Sequence, residues 1–384
     1  MLKKLFLLSA LLPHALFGAF DYKVNNTNFT ISQGSEVPNS NKSYLYNYDR
    51  LRVQTEYKED GFFATAIADG VNYLGHDYVG STPFAYQKEM HADTPFKAQT
   101  EFSDYHDGSA YAKLYRLYGG YEDKQNRVVA GVQNIQMGVG RIWTPTNLFN
   151  PKNIYALESD EVFGVAALSY VRHMNETSDL GVVTSQKKDY TQKYGARYKT
   201  FAGFADFALN IVSSDETKMV GFEIEGNLAD TGVELRSEGG YIKNSLNTSF
   251  ITKEERDFFQ GIVGADYGFV NGVTVVGEML YSSKKFSYAD KLLNLNSEIL
   301  PNMVSSNLYT GLTLSYSFNL FLEGSLLYIE SFNEKNSRFI SPTLTYTLND
   351  YNAFSVGAMI LSGAKESEFG SLQNSYYLKW SLSF

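Results

Sequence analysis

Apolar and polar residues alternate along this chain with a period of two, segment after segment. In the last segment Tyr376, Leu378, Trp380, Leu382 and Phe384 fall on one side, and Ser375, Tyr377, Lys379, Ser381 and Ser383 on the other. Successive side chains of an extended strand point to opposite faces, so this is a strand with one apolar, aromatic face and one mostly polar face. Residues 308–318 repeat the pattern, with Leu308, Thr310, Leu312, Leu314, Tyr316 and Phe318 opposite Tyr309, Gly311, Thr313, Ser315 and Ser317. Val220, Phe222, Ile224 and Leu228 alternate with Glu223, Glu225 and Asn227, and Leu51, Val53 and Tyr57 alternate with Arg50, Arg52, Gln54 and Glu56. Charges at such spacing exclude a dry core on that face, because an unpaired buried charge is very costly. A wide transmembrane barrel satisfies both faces, with lipid outside and water inside.

The connections support that reading. Short turns are predicted at 58–61, 122–126, 175–179, 201–203, 229–232, 270–272, around Asn319 and at 349–352. Between them lie polar segments at 75–109, 139–161, 243–257, 283–306, 332–337 and 363–373, with shorter ones near 186–191 and 213–217. Short turns at one end and long loops at the other are the habit of membrane barrels. From residue 45 onward the pattern holds about 17 strands, and termini on the same side require an even number. A first strand is therefore expected between Phe20 and Gln33, where Phe29 and Ile31 are the best strand formers. The expected fold is all-β, a transmembrane antiparallel up-and-down barrel of about 18 strands, with 16 as the alternative.

Composition narrows the class. Aromatic residues make up 15% of the chain, Cys is absent, and the mean hydropathy is -0.26, too polar for a helical membrane protein. The absence of Cys excludes disulfide scaffolds and thiolate metal sites. Lys3-Lys4 followed by the apolar run from Leu5 to Phe17 and the small pair Gly18-Ala19 reads as a cleaved signal peptide over 1–19, leaving 20–384 as one barrel domain. The net charge is -9 and becomes more negative once those two lysines leave, which argues against nucleic acid as a partner.

The most distinctive segment runs Gly138-Val-Gly-Arg-Ile-Trp-Thr-Pro-Thr-Asn-Leu-Phe-Asn-Pro151, after an expected strand over 128–137 that supplies Gln133, Asn134 and Gln136. Thr144-Pro145 disfavours helix before it and allows a short helical turn after it. This segment resembles outer-membrane porins of the alginate-export type and their proteobacterial relatives, with Asn147 standing where those carry Asp. The resemblance implies a diffusion channel of roughly 18 strands; it leans towards a monomer where a general porin would be a trimer, and the sequence does not decide between them. On this reading the segment folds inward and narrows the pore, with Arg141 near the constriction and Trp143 beside it. The alternative is an outward loop held by Trp143 and Phe149.

Alternation assigns the remaining lumen candidates. The basic set is Arg50, Arg52, Arg116, Arg172, Arg197 and Arg236; the acidic set is Glu56, Glu223, Glu225, Glu234, Glu238, Asp266, Glu278 and Glu323. Facing ladders of opposite sign would set a transverse field across a pore, or the groups would simply solvate the lumen and pair with each other. Trp380, Leu382 and Phe384 form an aromatic-ended last strand of the kind that signals to the barrel-assembly machinery. His76, His91 and His106 share a segment with several aspartates, but their spacing matches no metal motif, and a hydrated surface loop is expected. Neither a nucleophile–base set nor a cofactor motif is present. The expected function is passive diffusion of small hydrophilic solutes across an outer membrane. The rivals are a loop-plugged barrel acting as adhesin or receptor, and a barrel enzyme.

Overall fold

A computed structural model describes residues 20–384 except 36 and 334, so the expected signal peptide lies outside the described residues. The strands are β1 (Phe20–Gly34), β2 (Ser43–Glu59), β3 (Phe62–Leu74), β4 (Ser103–Tyr105), β5 (Gly108–Glu122), β6 (Asn126–Gln133), β7 (Val165–Asn175), β8 (Ser178–Gln186), β9 (Gln192–Phe201) and β10 (Asp206–Ser213). They continue as β11 (Thr217–Asn227), β12 (Val233–Asn247), β13 (Lys253–Gly268), β14 (Thr274–Ser282), β15 (Leu308–Ser317), β16 (Leu322–Phe332), β17 (Ser337–Asn349), β18 (Asn352–Gly363) and β19 (Ser375–Ser383). Each pairs antiparallel with its neighbours, and β1 closes on β19. β4 is a three-residue strand inside a loop, so the closed wall has 18 strands. Closure leaves no sheet edge, which a strand bathed in lipid requires.

The seam joins the first and last described strands. Val24 and Phe384 exchange backbone hydrogen bonds of 3.0 and 2.9 Å, so the last residue completes the ladder. The β2–β3 turn shows how tightly the short-turn end is built. Asp60 and Gly61 both have positive φ (49° and 84°), the Asp-Gly hairpin geometry that follows strand twist. All eight predicted short turns lie at this end, together with Phe20 and Phe384.

Outward residues are apolar and exposed, as at Leu51, Val53, Leu209, Val220 and Leu378. Aromatic pairs ring the short-turn end: Phe20–Tyr57, Phe62–Tyr121, Phe354–Trp380 and Tyr351–Phe384. Such girdles mark the membrane–water boundary of barrels.

Four expectations change. The strand expected over 128–137 stops at Gln133; Gly131, at φ 127°, breaks the regular pleat, and the chain leaves the ladder. The 243–257 segment is mostly strand, with a loop only at 248–252. The 75–109 segment is not a merely hydrated loop. It carries α1 (His76–Val79) and α2 (Thr82–Glu89), and its Tyr78 and Phe84 are buried with Phe29, Ile31, Tyr46 and Tyr73 from the wall. Arg172 faces lipid, not the lumen. It sits opposite Asn126 and Leu180, in the rows of Tyr170, Val128, Val182 and the exposed Leu168, and its guanidinium donates to Asn126 Oδ1 at 2.7 Å. A cation two turns of pleat from such apolar neighbours is tolerable because it lies near the strand end, where long side chains reach the interface.

Candidate functional site: a strut across the lumen

The connection between β6 and β7 (residues 134–164) turns into the barrel instead of out from it. Its first limb is held through its own backbone. Glu238 accepts from the N–H groups of Val139 (2.5 Å), Gly140 (2.9 Å) and Thr146 (3.0 Å) and from the Thr146 hydroxyl (3.1 Å). Glu278 accepts from Arg141 (2.6 Å), Ile142 (2.9 Å) and Trp143 (3.1 Å). Glu223 accepts from Gly138 at 2.8 Å. Three wall carboxylates thus hold a run of consecutive N–H groups, the arrangement in which backbone dipoles converge on anions.

The local sequence permits this. Gly138 has φ 91°, and a Cβ there would lie 2.5 Å from a Glu238 oxygen. A Cβ on Gly140 would lie 1.7 Å from the Trp143 carbonyl oxygen. At both positions the backbone approaches closer than any side chain allows. Asn147 and Asn150 then staple the turn: Asn147 donates to the Asn150 carbonyl at 2.9 Å, and Asn150 Oδ1 accepts from Ile135 N at 2.6 Å. Asn302, from the loop between β14 and β15, donates to the Pro145 carbonyl at 3.0 Å. The Thr144-Pro145 step forms a single turn, with Asn147 N donating to Thr144 O, and no helix.

The second limb is held the opposite way, by its acidic side chains. Glu158 meets Arg50 at 2.9 Å and Lys379 at 3.4 Å. Glu161 meets Arg52 at 2.8 Å and Arg50 at 3.3 Å, and Arg116 donates to the Val162 carbonyl at 3.0 Å. Arg52 is itself fixed by Asp69 at 2.7 Å and stacks over Tyr115. Around the closed ring, β2 and β12 are nine strands apart in either direction, so the two anchorages lie on opposite walls. The loop is a strut spanning the diameter.

The sequence-derived candidates separate accordingly. Arg50, Arg52, Arg116, Arg197, Arg236, Glu223, Glu225, Glu234, Glu238, Asp266 and Glu278 all lie on inward rows of their strands. Most are engaged in holding the strut or in pairing with each other. Arg197 meets Glu223 at 2.5 Å, and Arg236, fully buried, contacts Asp266, Glu234 (3.3 Å) and Glu278 (3.5 Å). Arg141 reaches Glu234 at 2.9 Å and Glu225 at 3.3 Å, and its side chain remains about half exposed. Trp143 and Phe149 are buried inside the barrel, in two separate apolar clusters. His76 meets the His106 carbonyl and His91 meets Lys188, and among the described residues no three such ligands converge on a metal site.

Alternation did not reveal Glu158, Glu161, Asp69 or the Lys193–Glu298–Lys187 bridge. Glu298 belongs to the β14–β15 loop; it pairs with Lys193 at 2.9 Å and Lys187 at 3.0 Å, while Lys193 also donates to Leu148 O at 2.7 Å. That bridge ties two loops together over the strut. Above it, on the long-loop side, lies a cavity of about 1680 Å³ lined by residues such as Tyr48, Arg50, Lys113, Lys193 and Phe369.

The strut has a pH signature. Burial disfavours the charged form of Glu161, but the Arg52 hydrogen bonds and the Arg50 and Arg52 charges outweigh it and hold its carboxyl below the usual range. A group so depressed contributes stability that is complete above its unfolded pKa, about 4.3, and is lost as pH falls through the lower folded value. The second limb's hold through Glu161 should therefore persist as pH falls to about 5 and be lost only below the ordinary glutamate range, read as a rise in single-channel noise there. In Glu161→Gln that acid-induced transition should be absent, and its persistence would remove Glu161 from the clamp.

No family model matches this sequence, and no curated protein matches it. Solved structures do. OccAB1 of Acinetobacter baumannii has a TM-score of 0.61 at 11% identity, covering 95% of this chain and 96% of its own. OccK8 (OprE) of Pseudomonas aeruginosa has a TM-score of 0.57 at 11% identity, covering 95% of this chain and 98% of its own. The outer membrane protein OpdK of Pseudomonas aeruginosa has a TM-score of 0.58 at 10% identity, covering 95% and 99%; it has also been solved with vanillate. These likenesses support a porin-type barrel and not the alginate-export type that the 138–151 segment resembles. The chain has the closed 18-strand architecture of outer-membrane porins.

Proposed function

We propose that this protein is an outer-membrane channel, not an enzyme, that lets small hydrophilic solutes diffuse through a lumen narrowed by the 134–164 strut. The observation that carries the proposal is the two-sided anchoring. A barrel of this width is open unless loops fold into it, and here the intruding loop is fixed at opposite walls, by wall glutamates on one side and wall arginines on the other. A fixed strut narrows a pore without sealing it, and the cavity above it gives solutes a vestibule. The similar OpdK was solved with vanillate, which places small aromatic acids among the solutes worth trying. Export through a cleaved leader and recognition of the strand ending in Trp380, Leu382 and Phe384 by the assembly machinery belong to the same proposal.

Liposome swelling tests it. Purified protein in vesicles should admit small sugars and organic acids at rates that fall steeply with solute size. Vesicles impermeable to every solute tried would instead favour the loop-plugged receptor reading.

A further inference from the structure

The lipid-facing wall carries a polar cluster on β1 and β2 where lipid offers nothing to pair with. On β2 the outward residues run Leu45, Asn47, Asp49, Leu51 and Val53, and Leu45, Leu51 and Val53 are 71%, 47% and 45% exposed. On β1 Asn26 lies opposite Leu51 and Leu382, and Asn28 opposite Asp49 and Trp380, so both share the lipid face. Asn72 on β3, opposite Asp49, extends the row. On β1 the outward row continues as Thr30 and Ser32, but Leu45 on β2 and Leu378 and Tyr376 on β19 flank it there, all exposed, so the apolar wall extends past the cluster on both neighbouring strands.

The cluster is internally bonded but its charge is not neutralised. Asn26 and Asn28 both donate to the same Asp49 oxygen, at 3.0 and 2.9 Å. Asn28 and Asn47 exchange amide hydrogen bonds of 3.1 and 2.8 Å. Among the described residues no lysine or arginine forms an ion pair with Asp49. The outward Glu330, by contrast, lies two residues from the end of β16 and is paired with Arg338. Beside the cluster, β3 presents Ala64, Ala66, Ala68 and Gly70 outward, a smooth strip in which a side chain on Gly70 would meet nothing within 4 Å. Uncompensated polar groups facing hydrocarbon are expensive, and small residues let two backbones approach.

We propose that this face, centred on Asp49 and Asn28, is where two copies of the chain meet in the membrane. The cluster holds amide donors and a carboxylate acceptor together, so it is self-complementary. A two-fold axis through it sets the amides of one copy against the Asp49 of the other, as an isologous contact requires.

The chain has no cysteine, so one introduced thiol reports contacts without background. In native outer membranes under mild oxidation, Gly70→Cys should form a disulfide-linked dimer. Val220→Cys, on the exposed face of β11, should not. Adding Asn28→Leu and Asp49→Leu to Gly70→Cys should lower the dimer yield by roughly fivefold or more, while single-channel conductance stays unchanged. Both changes place apolar side chains in lipid, so retained heat-modifiable migration will show that the barrel still folds. Absence of a Gly70→Cys dimer, equal yields at both cysteines, cross-linking only to a different protein, or a yield indifferent to the leucines would each overturn the proposal.

Discussion

Glu238→Ala should raise single-channel conductance severalfold and make the current fluctuate between levels. Glu238 is fully buried and accepts four hydrogen bonds from the first limb of the strut, three of them from backbone N–H groups. Removing the acceptor leaves those donors unpaired inside the barrel, at about 1–3 kcal/mol for each group that water does not reach. The limb relieves that cost by moving into the lumen water, and the narrow passage widens. Glu278 still holds Arg141, Ile142 and Trp143, so the limb is loosened at one end and not freed. The double substitution Glu238→Ala with Glu278→Ala should therefore conduct more, and more steadily, than either alone. Glu238→Gln should fall between, because its amide keeps one acceptor and turns a donor toward N–H groups. The 18-strand ladder is untouched by these changes, so barrel folding measured by heat-modifiable migration should persist. Wild-type conductance in Glu238→Ala would remove Glu238 from the strut's support.

Gly140→Val should produce the same wide channel with every wall carboxylate intact. The added Cβ would lie 1.7 Å from the Trp143 carbonyl oxygen and near the Ile262 side chain, so the observed loop path is closed to it. The loop must adopt another path, losing its N–H contacts to Glu238 and Glu278 together. Gly268→Val is the matched control, because a Cβ there meets nothing within 4 Å. It should leave conductance as it is. The comparison separates an effect of loop geometry from an effect of lumen charge, because Gly140→Val changes no charge at all. Wild-type conductance in Gly140→Val would show that the loop tolerates a second path of equal width.

How much of this was legible in the sequence follows from what a period-two pattern can carry. Alternation gave the inward rows of Arg50, Arg52, Glu223, Glu238 and Glu278, because each lies on a strand whose opposite residues are plainly apolar. It failed at Arg172, whose strand has apolar residues on both faces: Ala167 packs inward against loop residues while Leu168 faces lipid. Turn parity revealed β1, although Phe29 and Ile31 face inward and its outward face is rich in Asn. That inversion has a cause, since the 75–107 loop packs Tyr78 and Phe84 on the inner wall. Strand patterns are blind to such contacts. The same holds for the strut. Gly138, Gly140, Asn147 and Pro151 stood out as unusual, yet the partners of Glu158 and Glu161 lie more than a hundred residues away in sequence at Arg50 and Arg52. Carboxylates that looked like one wall of a transverse field are, in large part, the anchors of a loop. The charges were readable; what they hold was not.

The central claim is that a porin-type barrel is kept narrow, but not closed, by a loop fixed at opposite walls. Single-channel recording of the unmodified protein in planar bilayers tests it most directly, with Glu238→Ala plus Glu278→Ala as the reference for a released strut. The expected result is discrete, stable current steps, severalfold smaller than those of the released form. Steps of equal size in both, or no steps from a correctly folded barrel, would contradict it.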